Sequence, residues 1–246
     1  MFLSYFADKH PIEEFSHELS YKVYREQLLG EGAQSKVYRF RIECYEENKS
    51  PVILYLAGKE LSEGEFYQHE GRYSYLKHHR LITYHLLKFN LEQTKIDYYV
   101  KDLQEEEQYL EYIIFLTDFS LNEWEVEPIN IEFGVNLKCF EKFNINEKKD
   151  LFTKIFDDIL DLARMKLWAQ HDLWMIIYKK TNAGYDVRAE ITDVELIDDR
   201  KSVRQRPENV LSFFQEFIEE DKVIMREILQ NKKYKKISEL YHFDQL

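Results

Sequence analysis

Leu29-Gly30-Glu31-Gly32-Ala33-Gln34-Ser35-Lys36-Val37-Tyr38 reads as a glycine-rich turn between two β-strands, close to the start of the chain. Gly30 and Gly32 lack Cβ atoms, so the backbone there can bend tightly and come close to a phosphate group. Val37 follows where an apolar side chain can cover a flat base. The flanks support a hairpin, with apolar residues recurring at Val23, Leu28 and Leu29 and again at Val37, Tyr38, Phe40 and Ile42. Tyr45-Glu46-Glu47-Asn48-Lys49-Ser50-Pro51 is polar and ends in proline, the composition of a connection. Val52-Ile53-Leu54-Tyr55-Leu56-Ala57 then reads as a buried strand, and Gly58-Lys59 ends it. Tyr, Leu and His at helical spacing predict a helix over about residues 64–87. Ahead of the hairpin, residues 1–20 form an amphipathic lead-in.

Further along, strands are expected at 111–119 and 129–133. A polar break at 144–149 precedes a helix over 150–167, in which Leu151, Ile155, Ile159 and Leu162 share a face and Asn146 or Asp150 caps the start. Residues 175–178 and 187–197 form a strand pair around the turn Thr181-Asn182-Ala183-Gly184. The last fifty residues read as two helices, from about Pro207 and about Lys233, and no internal repeat is present.

With 246 residues the chain suffices for one large domain or two compact lobes. No apolar run approaches membrane-spanning length, and the first residues lack the charged-then-apolar layout of a signal peptide. Cys44 and Cys139 form no metal-ligand pattern and are expected to be reduced thiols, which with the missing leader points to the cytoplasm. A formal net charge of −12 argues against a general nucleic-acid or anionic-membrane binder, because phosphate surfaces repel it. The 18 tyrosines and 17 phenylalanines are accordingly read as core rather than as base-stacking platforms. His69, His78, His79 and His85 crowd one region without metalloprotease spacing, so packing or surface roles are expected for them.

Several residues have the pattern that phosphoryl transfer requires, which is positioning and charge neutralisation more than covalent chemistry. Lys59 closes an apolar strand, where an ammonium needs a carboxylate partner, and Glu70 on the following helix can supply it, with Glu63 and Glu65 as competitors. Glu127-Pro128-Ile129-Asn130-Ile131-Glu132-Phe133-Gly134 reads as a buried strand broken at a glycine. His171-Asp172-Leu173 follows the long helix, where an aspartate could accept a hydroxyl proton. Ile191-Thr192-Asp193-Val194 and Leu196-Ile197-Asp198-Asp199 each set an aspartate at the end of an apolar strand, suited to Mg²⁺. Asp193 has the tighter spacing from Asp172, and Asp198 the better alternation before it.

In the order hairpin, lysine strand, helix, these pieces resemble the N-lobe of the protein-kinase-like superfamily, in particular the small, divergent kinase-like proteins common in fungi. The resemblance runs from about Tyr21 to Asp199 and rests on Leu29-Gly30-Glu31-Gly32, Ala57-Gly58-Lys59, His69-Glu70, Ile131-Glu132-Phe133-Gly134, His171-Asp172-Leu173 and Ile191-Thr192-Asp193. It implies an α+β, bilobal kinase-like fold in a single domain: an N-lobe over 1–135 with a sheet and one long helix, and a reduced, mostly helical C-lobe over 136–246. It implies ATP and Mg²⁺ as cofactors, with Gly30 and Gly32 over the phosphates, Val37 over the base, and Glu132 and Phe133 at the adenine edge. Lys59 would pair with Glu70, Asp172 would be the catalytic base, and Asp193, or Asp198 in its place, would hold the metal. The implied function is ATP-dependent transfer of phosphate to a protein hydroxyl, so the expected partners are a nucleotide and a protein, with no nucleic acid and no membrane.

The chain also departs from the family pattern. Ser35 stands where the third glycine of the loop belongs, and Val194-Glu195 rather than Phe-Gly follows Asp193. Five residues beyond Asp172, where an asparagine should bind a second metal, stands Ile177. Only about fifty residues follow Asp199, and no Ala-Pro-Glu segment closes an activation loop. These departures keep two alternatives open, a catalytically dead pseudokinase acting as a binding module and a small-molecule kinase of aminoglycoside or choline type.

Overall fold

The computed structural model describes residues 12–31, 35–100, 103–104, 107–121, 124–128, 138–169, 173–192, 194, 198–199 and 207–246. The chain is mixed α+β and divides into two compact units, Met1–Phe119 and Ser120–Leu246. The division falls ahead of the 135/136 step expected from sequence, because the strand Glu125–Pro128 pairs within the second unit.

Unit 1 is built on one eight-stranded sheet. Its strands are β1 (Glu13–Glu14), β2 (Ser20–Glu31), β3 (Lys36–Tyr45), β4 (Val52–Glu60), β5 (Leu86–Lys88), β6 (Lys95–Val100), β7 (Leu103–Gln104) and β8 (Ile113–Thr117). They lie in the order β1-β5-β8-β4-β3-β2-β6-β7. The expected hairpin and lysine strand are the antiparallel meander β2-β3-β4, turned between β3 and β4 through Asn48, whose φ of 63° suits an asparagine. Alternation in these strands sends Tyr21, Val23, Phe40, Ile42 and Leu56 into a core with Phe15, Phe89 and Phe115, where Phe15 stacks on Phe89 at 4.1 Å.

Gly58 faces this core with no room to spare. A Cβ there would lie 2.4 Å from the Phe40 ring and 3.0 Å from Ile113 Cγ2. Gly58→Ala should therefore lower stability by about 1–3 kcal/mol through overpacking, seen as an earlier urea midpoint with an unchanged slope.

Helix α1 (Glu63–His78) is shorter than the expected 64–87. Its start is a capping box in which the Glu65 carboxylate accepts from Ser62 N at 3.0 Å and Ser62 Oγ at 2.5 Å. It stops because Arg80 turns left-handed at φ 60°, and the chain continues into β5, which pairs with β8. The strand expected over 111–119 is confined to β8, since Glu107–Tyr112 forms a 3-10 helix.

Unit 2 contains β9 (Glu125–Pro128), α2 (Lys138–Glu141), α3 (Ile145–Arg164), β10 (Leu167–Trp168), β11 (Trp174–Thr181), β12 (Gly184–Ile191), β13 (Asp198–Asp199), α4 (Pro207–Gln215), α5 (Glu219–Leu229) and α6 (Lys235–Tyr241). A strand expected over 129–133 lies outside the described residues. The long helix begins five residues earlier than expected and is capped by neither Asn146 nor Asp150. Asn144 Oδ1 instead accepts from Asn146 N and Glu147 N, while Glu147 reaches back to Asn144 N at 2.7 Å. The Thr181–Gly184 turn closes the β11–β12 hairpin as expected. Gly184 holds φ 138° there, and Tyr185 N donates to Glu147 Oε1 at 2.6 Å, so no side chain fits at that position.

Where two helices were expected beyond Pro207, the described residues form three, because the chain turns at Phe217–Ile218 and again at Asn231, whose side chain accepts from Lys233 N. The core of this unit is aromatic, with Phe140 stacked on Phe152 and Phe156 packed against Phe214, Tyr234 and Phe243. No described helix is long and apolar enough to cross a membrane.

Candidate functional site

In unit 1 the register of three strands lines up three of the expected site residues. Gly30 on β2 pairs with Val37 on β3, and Val37 pairs with Lys59 on β4. Directly paired residues on antiparallel strands point to the same face, so one row across the sheet carries glycine, valine and lysine. Two irregularities in β2, between Arg25 and Gln27 and between Leu28 and Gly30, set this register. Ala57, two residues before Lys59, and its pairing partner Arg39 face the same way. Arg39 Nε donates to the buried Asp118 carboxylate at 2.6 Å, just after β8 ends. Lys59 is 5 % exposed, so the strand-end lysine is buried rather than solvated. Gly32 lies outside the described residues.

Of the three candidate glutamates on α1, only Glu70 is buried. Glu65 serves as the capping carboxylate and Glu63 is exposed. Glu70 does not take the expected partner: its Oε1 receives the Lys88 ammonium at 2.5 Å. Lys88 follows Leu86 by two residues on β5, and Leu86 pairs with Leu116, which also pairs with Ala57. Alternation thus puts Lys88 and Lys59 on one face of the sheet, and α1 directs Glu70 to that face. Lys88 was missed because the helix expected over 64–87 overlaps the start of β5 and left no strand there to carry it.

In unit 2 the described chain neighbours of the expected catalytic positions, Leu173 and Thr192, stand at the open end of the β11–β12 hairpin. Asp172 and Asp193 lie outside the described residues, as do Glu132 and Phe133. Their neighbours in the chain are described, and they meet: Thr192 N donates to Leu173 O at 3.1 Å, beside the Trp174–Ile191 pair. Asp198 belongs to a separate two-stranded ladder, its backbone paired with Trp168. Ile177 is a core residue in the middle of β11, 3 % exposed and paired with Arg188 and Val126. The hairpin begins two residues after Asp172, so the five-residue step to a second metal ligand ends inside a strand.

Two residues that the sequence reading did not single out hold the flanks of this segment. Tyr241 Oη accepts from Ala169 N at 3.1 Å, and Asp158 Oδ2 accepts from the Trp174 indole at 3.0 Å. The signal for Asp158 was a carboxylate on the apolar face of a strongly amphipathic helix. Tyr241 carried no signal, since its partner is 72 residues away in the chain. Among the described residues no group of three or more His, Cys, Asp or Glu side chains could hold a metal ion. A groove of about 560 Å³ along the C-terminal helices, between Leu229 and Asp244, includes none of the expected site residues.

Compared with known proteins, the chain matches no family model, and no curated protein matches it.

Proposed function

We propose that this chain is a divergent, bilobal kinase-like protein that binds ATP·Mg²⁺ and transfers the γ-phosphoryl group to a protein hydroxyl. The observation that carries the reading is the row Gly30–Val37–Lys59. It combines a glycine near the end of β2 that leaves room for phosphates, an apolar cover for a base and a buried ammonium, on a three-strand meander followed at once by the helix of Glu70. In this reading Lys59 binds phosphate oxygens, Asp172 accepts the proton of the acceptor hydroxyl, and ADP leaves as the phosphoryl group joins that oxygen. Asp193, whose chain neighbour is bonded to that of Asp172, would hold the Mg²⁺ that neutralises phosphate charge. Cys44 and Cys139 form no disulfide, which suits the reducing cytoplasm.

A second reading, a binding module without transfer, is favoured by two observations. Ile177 supplies no side-chain oxygen, and Glu70 is engaged by Lys88. The first test of both is calorimetry with ATP, with and without Mg²⁺. Binding should be measurable and should weaken at least tenfold in Lys59→Ala, about 1.4 kcal/mol for one charge-assisted contact to phosphate. Failure of the wild-type chain to bind any nucleotide, with or without Mg²⁺, would end the phosphotransferase reading and leave the binding module.

A further inference from the structure

Asp158 is 3 % exposed, yet it carries a carboxylate into a helix face that is otherwise apolar. Both of its oxygens receive the Lys154 ammonium, at 2.6 and 2.7 Å, and Oδ2 also accepts the Trp174 indole N–H. Lys154 reaches this site from a side chain that is 43 % exposed, so its head can move into water. The other charged group that bears on Asp158 is Glu190 on β12, which itself feels Lys154 and Arg188; β11 contributes the neutral indole. A buried carboxylate of this kind is weak evidence for stability and stronger evidence for a task.

We propose that the protonation state of Asp158 is a switch that sets the position of the Trp174 indole, and through it the start of β11, two residues from Asp172. With Asp158 ionised, the indole and the ammonium both bond to a negative acceptor, and the strand start is held. When Asp158 takes a proton, the indole keeps only a neutral acceptor, and Lys154 loses its counter-charge and turns toward Glu190 and water. Burial pushes the Asp158 carboxyl up from 3.8 to about 6, against the opposing pull of Lys154 and the indole. Between those two values the folded chain holds a proton that the unfolded chain has lost, so stability falls as pH rises from about 4 to about 6. The position of the indole stands without the nucleotide reading; only the consequence for Asp172 rests on it.

The three tryptophans, Trp124, Trp168 and Trp174, give three indole N–H resonances, and Trp174→Phe identifies the one of interest. In the full-length wild-type chain, without nucleotide, that resonance should titrate between pH 4.5 and 8 with a midpoint near 6. It should be flat in Asp158→Asn. Lys154→Met, a change at a half-exposed position, should raise the midpoint by removing the favourable charge. The Lys154 variant keeps the test decisive if the Asp158 variant fails to fold. A flat wild-type resonance, a titration that survives Asp158→Asn, or a midpoint unmoved by Lys154→Met would each overturn the switch. None of these outcomes depends on ATP binding, so loss of the nucleotide reading and loss of the switch are separate results.

Discussion

Phe115→Ala is expected to destabilise unit 1 by about 3–5 kcal/mol, a large share of the stability of a domain this size. Phe115 is fully buried at the centre of β8, with the rings of Phe15, Phe40 and Phe89 at 5.7, 5.1 and 5.4 Å. Its strand is the one that joins β4 to β5, so the cavity would open beneath the row that carries Lys59. The surrounding rings come from β3 and from the segments just after β1 and β5, so filling the space would need three separate parts of the chain to move together. Phe115→Leu fills most of the volume and should cost below about 1.5 kcal/mol. Denaturant unfolding followed by circular dichroism measures both. A Phe115→Ala chain that unfolds at the wild-type midpoint would contradict the packing described for this sheet.

The second large effect concerns activity, and it follows from the phosphotransferase proposal. Asp172→Asn should leave ATP affinity nearly unchanged while lowering turnover on the order of hundredfold or more, because it removes the acceptor of the hydroxyl proton. Asp193→Asn should weaken Mg²⁺-dependent nucleotide binding and lower turnover by a similar factor, since it removes a metal ligand. Asp198→Asn is the control: its backbone pairs with Trp168 on a separate two-stranded ladder, so it should bind ATP·Mg²⁺ as the wild type does. The opposite pattern, with Asp198 required for metal-dependent binding and Asp193 dispensable, would mean that the assignment of this strand is five residues out. Indifference to all three substitutions would remove residues 171–199 from the catalytic core.

The elements that could be read from the sequence are those whose signals are local. The β2–β3 and β11–β12 hairpins declare themselves by glycine turns between apolar runs, and α3 by its apolar period. Errors arose where a local signal was present but outcompeted or overlooked. Asn144-Ile145-Asn146-Glu147 is a capping box, and it starts α3 five residues ahead of the expected boundary. Residues 79–87 have helical spacing but no intrinsic stop; pairing of Leu86 and Leu87 with β8 makes them a strand.

Sequence alone determined that a strand carrying Lys59 near its end lies behind a glycine hairpin, and that a helix with several acidic candidates follows it; the strand was expected to be buried throughout, yet Val52, Ile53 and Tyr55 are exposed and only its second half enters the core. Those features depend on neighbours a few residues apart. It could not determine that Gly30, Val37 and Lys59 stand in one row, because the two irregularities in β2 shift the register without changing the apolar pattern. Nor could it choose Lys88 for Glu70, or bring Leu173 to Thr192 and Asp158 to Trp174. Each of these contacts joins residues 16 or more positions apart, and which charges meet inside a fold depends on strand order and burial, which only the assembled sheet and helices supply.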